Sequence, residues 1–251
     1  MRENSIDAIV RRIGPSARVT VLTGAGVSAA SGVPTFRGKD GLWKSYAAER
    51  LATPEAFASD PRLVWEWYDW RRTLISRCRP NGAHRTLALW GRRYEGFRLI
   101  TQNVDGLDEK AGSEGVIRFH GSIWEVFCLD GCARSPRRWV LDEAPLGHIP
   151  PSCPWCGGLV RPGVVWFGEG IDPEVLRRAD AALDCDLFLA VGTSALVYPA
   201  AGLVDAARRR GAFTVEINRE ATPATGRVDL AVQGGAEEVL GLLERRLGGR
   251  E

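Results

Sequence analysis

Residues 18–34 read RVTVLTGAGVSAASGVP, and the fold turns on them. The first part, 18–22, is apolar and β-branched and predicts a buried strand. The loop after it is rich in Gly, Ser and Ala and should open a helix. Gly24, Gly26 and Ala29 hold a G-x-G-x-x-A spacing. Two glycines let a backbone approach a pyrophosphate, whose charge is favoured by free amides at a helix N-terminus. A tight strand-to-helix turn without any ligand has the same letters. An ordinary dinucleotide dehydrogenase adds an acidic residue about 20 positions on, at the end of a second strand. Here that region reads GKDGLW (38–43), with no strand before it. The usual ribose clamp is therefore missing. Asn218, at the end of a later strand in EINRE, is the alternative partner for an adenosine ribose.

Working outward, strand signals recur at 97–100, 116–119, 164–167, 187–191 and 214–217. Helical patterns cover 61–78, 83–93, 173–183, 199–210 and 237–247. Alternation of this kind predicts an α/β fold, a parallel doubly wound sheet with helices on both faces. Insertions at about 44–80 and 126–160 break the alternation. In the first of them Pro61 follows Asp60 as a helix start, and Leu63, Trp67, Trp70, Leu74 and Cys78 form one row.

The chain has 251 residues, 45% of them apolar, enough for one large domain or a domain with a lobe. Its formal net charge is +2, from 33 basic and 31 acidic residues. That balance gives no field for nucleic acid, and the basic runs at Arg71 and Arg72, Arg137 and Arg138, and 208–210 read as solvated helix faces. No stretch approaches the roughly 18 apolar residues of a membrane span, and MRENSIDAIVRRIG lacks an apolar signal core. A cytoplasmic protein without membrane or nucleic-acid partners is expected.

Of six cysteines, Cys78 and Cys185 stand alone and read as small buried apolar residues. Cys128 and Cys132 form one close pair, Cys153 and Cys156 a second. Two such pairs complete a tetrahedral thiolate site for zinc, and four sulfurs leave no position for water, so the site is structural. A zinc deaminase would need H-x-E and then P-C-x-x-C. His120-Gly-Ser and His148-Ile-Pro supply neither.

TQNVDGL (101–107) places Gln102, Asn103 and Asp105 directly after an apolar run. VIRFHGS (116–122) ends another with His120. Either these are polar turns, or they mark the carboxyl edge of a sheet, where ligands of doubly wound folds collect. His84, in NGAHRT, reads as a cap or surface residue.

Taken in order, GAGVSAASGVPTFRG (24–38), TQNVDGL, FHGS (119–122), the two cysteine pairs, VVWFGE (164–169), VGTS (191–194) and the Asn218 strand end resemble the sirtuin family, NAD-dependent protein lysine deacylases. The likeness runs from about residue 19 to 236. It implies a Rossmann-like large lobe (1–43, 81–125 and 161–251) and a small lobe (44–80, helical; 126–160, zinc-binding), with NAD and acyl-lysine meeting between them. By the same resemblance the loop from Gly24 to Trp43 holds NAD. Ala25, Ser28 and Ala29 lie near its phosphates, and Thr35, Phe36, Arg37 and Trp43 near its ribose and nicotinamide. Gln102, Asn103, Val104 and Asp105 would hold the nicotinamide ribose, with Asp105 taking the carboxamide and Asn103 orienting a ribose or water. Gly192, Thr193 and Ser194 would touch phosphate or ribose, Asn218, Arg219 and Glu220 the adenosine side, and Ala236 the adenine. Val165, Phe167 and Gly168 would hold the substrate peptide as an added strand. The implied reaction passes the acyl group through an alkylimidate to the ribose, with His120 as base. Free lysine, nicotinamide and 2′-O-acyl-ADP-ribose result. Three departures are visible: Val104 where isoleucine is common, Ala30 where glutamate is common, and three residues rather than two inside the first cysteine pair.

In WEWYDWRR (65–72), Tyr68 and Arg71 share a helix face. In the family's class III branch such a pair reads the acid end of succinyl- or malonyl-lysine, and Ala52 matches a small residue that widens the acyl pocket. A guanidinium suits a carboxylate, and a phenol adds a donor. The plainer reading pairs Arg71 with Glu66 or Asp69 and leaves Tyr68 as packing. The expected activity is desuccinylation and demalonylation with deacetylation retained. The alternatives are deacetylation only, mono-ADP-ribosyl transfer, a dehydrogenase, and a non-enzymatic zinc-ribbon module.

Overall fold

Val19–Thr23 forms strand β1, buried at every position, as in a sheet covered on both faces. The computed structural model describes residues 2–34 and 48–248. β1 pairs in parallel with β2 (Phe97–Thr101) on one side and with β7 (Leu187–Val191) on the other. Strands β3 (Ile117–Arg118), β8 (Phe213–Asn218) and β9 (Leu230–Gln233) complete a six-stranded sheet in the order β3-β2-β1-β7-β8-β9, every pairing parallel. The order reverses between β1 and β7, and at such a point a crevice opens beyond the carboxyl ends of the strands.

The strand pleat divides the core in two. Val19 and Val21 pack toward helices α1 (Arg2–Val10), α6 (Gly82–Arg93) and α10 (Ala236–Gly248), with Ile6, Ile9, Leu87, Trp90, Val239 and Leu243. Leu22 packs on the other face with Ala179 of α8 (Pro173–Ala181) and Val204 and Ala207 of α9 (Gly202–Arg209). The parallel doubly wound sheet expected from the alternation is present. α1 and β9 lie outside that expectation. β9 is an edge strand with one fully buried residue, so it carries no alternating pattern to read.

A second sheet is antiparallel, in the order β5-β4-β6, from β4 (Gly121–Cys128), β5 (Trp139–Val140) and β6 (Val160–Val164). It takes in residues 121–125 and 161–164 as well as the span 126–160. The strand expected at 164–167 is therefore displaced: it ends at Val164. Pro162 and Gly163 argue against a strand in the sequence, yet Gly163 is required, because a β-carbon there would stand 2.8 Å from the Glu125 carbonyl. Beyond Val165, whose N–H still bonds to His120 O, the amides leave the ladder. Trp166 N donates to the Glu169 carboxylate (2.8 Å) and Phe167 N to the Ala52 carbonyl (2.9 Å).

Helices α3 (Ala48–Leu51), α4 (Pro54–Ser59) and α5 (Pro61–Ser76) pack beside this sheet. Asp60 caps α5, accepting from Leu63 N. The row read from the sequence is only partly buried. Trp67 and Cys78 are inside, but Leu63 and Trp70 are 39% and 47% exposed, and Val64, Tyr68, Arg71 and Ile75 are buried in addition. The two rows have the same spacing, and a face with two arginines looks like a solvent face. Arg71 and Arg72 are not solvated. Arg72 is wholly buried, and its guanidinium donates to the carbonyls of Ile123, Leu141 and Glu143, tying α5 to the small sheet. Among the described residues no helix is long and apolar enough to cross a membrane.

Candidate active site

The loops after β1 and β7 pack backbone on backbone at the reversal. Gly24 N donates to Val191 O (3.0 Å) and Gly26 N to Gly192 O (2.8 Å). A β-carbon on Gly26 would meet Gly192 Cα at 2.7 Å, and one on Gly192 (φ 60°) would meet Val27 N at 2.7 Å. The lack of side chains at these glycines thus serves contact between the two loops, and the amides of Gly24 and Gly26 are occupied by it. The expected helix is short. Ala25–Ser28 makes one turn, α2, and the 3-10 turn Ala29–Ser31 ends at left-handed Gly32.

Polar side chains connect the carboxyl ends of β2, β7 and β8. Gln102, after β2, donates through Nε2 to Thr193 Oγ1 (2.8 Å), and Asn218, at the end of β8, donates through Nδ2 to Thr193 O (2.8 Å). Ser194 is half-buried beside them, Arg219 and Glu220 are exposed, and Ala236 is buried at the first residue of α10. Amide, hydroxyl and carbonyl groups in this row suit the hydroxyls and polar edges of a nucleotide. Val104 is buried, and its carbonyl accepts from Ile123 N.

A buried network lies just inside. Asn81 N–H donates to His84 Nδ1 (3.3 Å), so the proton of the neutral ring sits on Nε2, 3.3 Å from Ser28 Oγ. Ser28 Oγ also accepts from Asn103 Nδ2 (3.3 Å) and donates to Asp105 Oδ2 (2.7 Å). One donor and two lone pairs are all that a hydroxyl has, so Ser28 is fully used within the protein. Asn103 Nδ2 reaches Gly24 O as well (3.1 Å), and among the described residues none donates to its Oδ1. Leu107 N donates to Asp105 Oδ1 (2.9 Å). Burial raises the Asp105 pKa and lowers that of His84 to about 4. Asp108 is also buried, and burial together with the neighbouring Asp105 and Glu109 charges lifts it to about 7. His84 was expected to be a cap or surface residue. It does close the capping box of α6, but it is 0% exposed. The Asn81-x-x-His84 spacing resembles a capping signature; nothing in the sequence signals the burial.

His120 stands where the chain crosses from β3 to β4, between the two sheets. Phe119 N still bonds to Thr101 O of β2, while His120 O accepts from Val165 N (2.9 Å). Its Nδ1 lies 3.2 Å from Gln102 O. A carbonyl only accepts, so Nδ1 bears the proton and Nε2 keeps its lone pair. Burial lowers the ring's pKa, leaving it neutral near pH 7.

The residues expected to hold the acyl chain lie together across this crossing. Ala52 O accepts from Phe167 N, and the buried Tyr68 hydroxyl accepts from Trp166 Nε1 (2.8 Å). Arg71 is buried with its guanidinium 4.8 Å from the Trp67 ring. The partners of the plainer reading are engaged elsewhere: Glu66 with Arg62, and Asp69 with Leu146 N. Val165 is half-buried, and Phe167 and Gly168 are exposed. Trp166, Arg161 and Glu169, which the sequence did not single out, fix this segment. Thr35, Phe36, Arg37 and Trp43 lie outside the described residues.

Cys128, Cys132, Cys153 and Cys156 converge with all four sulfurs within 4.8 Å of one another. The Cys128–Cys156 and Cys132–Cys153 separations are 3.6 and 3.7 Å. A tetrahedron with metal–sulfur bonds of about 2.3 Å has sulfurs about 3.8 Å apart. The four thiols fit a structural zinc ion, the extra residue in the first pair notwithstanding.

A doubly wound sheet with its polar row at the reversal and a zinc-type module beside it defines a dinucleotide-fold protein with a small antiparallel lobe. Residues 24–199 match the Sir2 family. The NAD-dependent protein deacylase of Aquifex aeolicus is 51% identical over 213 residues, 84% of this chain and 87% of that protein. A Sir2 homologue solved with NAD superposes with a TM-score of 0.87 at 44% identity, covering 97% of this chain and 94% of the other. A variant Sir2 homologue with 2′-O-acetyl-ADP-ribose gives 0.87 at 43% identity, covering 100% and 98%. The chain belongs to the Sir2 family.

Proposed function

We propose that this chain is an NAD-dependent protein lysine deacylase. It removes acetyl, succinyl and malonyl groups from lysine in protein substrates and releases nicotinamide and 2′-O-acyl-ADP-ribose. The observation that carries this reading is the tautomer of His120: Nδ1 is held by Gln102 O, so the bare Nε2 is the basic atom. Bound NAD would supply the sugar carbon and hydroxyls to which the acyl group passes. The chain's residues do the rest. His120 Nε2 takes a proton from a ribose hydroxyl, a role suited to an imidazole that is neutral near pH 7. Asn103 Oδ1 orients a ribose or water. Asp105, fixed by Ser28 and Leu107, receives the carboxamide. Gln102, Thr193 and Asn218 line the sugars, and the residue 165–168 backbone holds the peptide. The reading of relatives as NAD-dependent protein deacylases supports it.

The acid-acyl part rests on Tyr68 and Arg71, a phenol and a guanidinium buried one helical turn apart beside the residue 165–168 segment. Such a pair suits a carboxylate far better than a methyl group. The test is mass spectrometry of the products from NAD with acetyl-, succinyl- and malonyl-lysine peptides. O-acyl-ADP-ribose from all three is expected. ADP-ribose attached to protein, with no O-acyl-ADP-ribose, would replace the reading with transferase activity. Arg71→Met should lower succinyl turnover more than acetyl turnover; equal losses would remove the carboxylate reader.

A further inference from the structure

Trp166 Nε1 lies 2.8 Å from the Tyr68 hydroxyl oxygen, and the two side chains are 3% and 0% exposed. An indole N–H can only donate, so the phenol oxygen must accept. Its own proton is then turned away from Trp166, and among the described residues none accepts it. Arg71 follows one turn along α5, with its guanidinium 5.7 Å from the Tyr68 ring. The indole is itself held firmly. The Arg161 guanidinium stacks 3.5 Å from its ring, the Phe57 ring lies 5.1 Å away, and Glu169 both pairs with Arg161 (2.6 Å) and accepts from Trp166 N (2.8 Å).

We propose that Trp166 is a positioning residue that fixes the direction of the Tyr68 O–H and keeps that proton for the terminal carboxylate of a short dicarboxylic acyl group. The inference rests on the reading of Tyr68 and Arg71 as the acid-end pair and adds its cause. A hydroxyl able to rotate could serve as acceptor or donor. One that already accepts a buried N–H has its O–H directed away from that donor and offered outward, which favours an anion over a neutral methyl end. An acetyl group ends in a methyl, which accepts no hydrogen bond from this hydroxyl, so the effect of Trp166 belongs to acyl choice.

The test measures kcat/KM for succinyl- and acetyl-lysine peptides with the wild type, Trp166→Phe, Tyr68→Phe and the double variant. Phenylalanine keeps a ring beneath Arg161 and removes the N–H. Trp166→Phe should lower the succinyl-to-acetyl ratio by about three- to tenfold, the effect of one hydrogen bond, mostly through KM for the succinyl peptide. It should have no further effect on the ratio in the Tyr68→Phe background. A ratio unchanged by Trp166→Phe, or effects of Trp166→Phe and Tyr68→Phe that multiply, overturns the positioning role while the acid-end pair stands. A ratio unchanged by both Arg71→Met and Tyr68→Phe shows instead that the underlying reading has failed. If Trp166→Phe does not fold, benzothienylalanine at position 166, with sulfur in place of N–H and the same shape, gives the same comparison.

Discussion

His84 Nε2 lies 3.3 Å from the Ser28 hydroxyl, a buried contact between residues 56 positions apart. It ties the first turn of α6 to the glycine loop and, through Ser28, to Asp105. Only a ring protonated on Nε2 and bare on Nδ1 satisfies both Asn81 N and Ser28.

That requirement has a pH signature. The folded-state pKa of His84 is depressed to about 4 from an ordinary 6.5. Between these values the unfolded chain binds the proton and the native state does not. The His84 contribution is therefore fully present above about pH 6.5 and is lost as pH falls toward 4, by on the order of 3 kcal/mol at most. Asp108, lifted to about 7, acts in the opposite sense over the same range, so the His84 part is read by difference. Urea unfolding at a series of pH values should show the wild type losing stability relative to His84→Gln as pH falls from about 6.5 to about 4, and a pH-independent difference would remove the assignment.

His120→Ala should lower kcat/KM by about 10²-fold or more, the loss expected for a general base, with an unchanged unfolding midpoint. The side chain is only partly buried and its one hydrogen bond is to the Gln102 carbonyl, so folding does not depend on it. Near-native turnover of the acyl peptide would exclude His120 as the base.

Removal of zinc should dismantle the small sheet before the large one. Cys128 and Cys153 belong to its apolar cluster, and Trp139 and Trp155 pack edge to face at 5.0 Å next to them. Chelation should release one zinc per chain, measured by elemental analysis, and reduce the near-UV circular dichroism of these tryptophans. Retention of the full signal after metal loss would show that the thiols are not needed for the lobe.

Gly192→Ala should separate the two loops at the reversal. The added carbon would meet Val27 N at 2.7 Å and would have to adopt φ 60°. NAD affinity should fall by about tenfold or more, since a left-handed alanine and a backbone clash together cost more than 1.4 kcal/mol. Calorimetric titration with NAD checks this; unchanged affinity would mean that the loops have room to move.

The sequence by itself determined the parallel sheet, the four cysteines that cluster as a zinc-type site and the residues at the carboxyl ends of β1, β2, β7 and β8. Each is a local pattern: strand period, glycine spacing, cysteine pairs, polar groups after an apolar run. Tertiary structure alone decided three matters that rest on partners far along the chain. It buried Arg71 and Arg72 on α5, where a face bearing arginines has no inward mark in the helical period and carbonyls distant in sequence receive the Arg72 guanidinium. It buried His84 against Ser28. It also ended β6 at Val164, because Glu169 and Ala52 draw the amides of Trp166 and Phe167 out of the ladder. Local spacing shows which side chains share a face, but burial of a charge or a polar ring depends on whether hydrogen-bond partners await it, and those are brought near only by the fold.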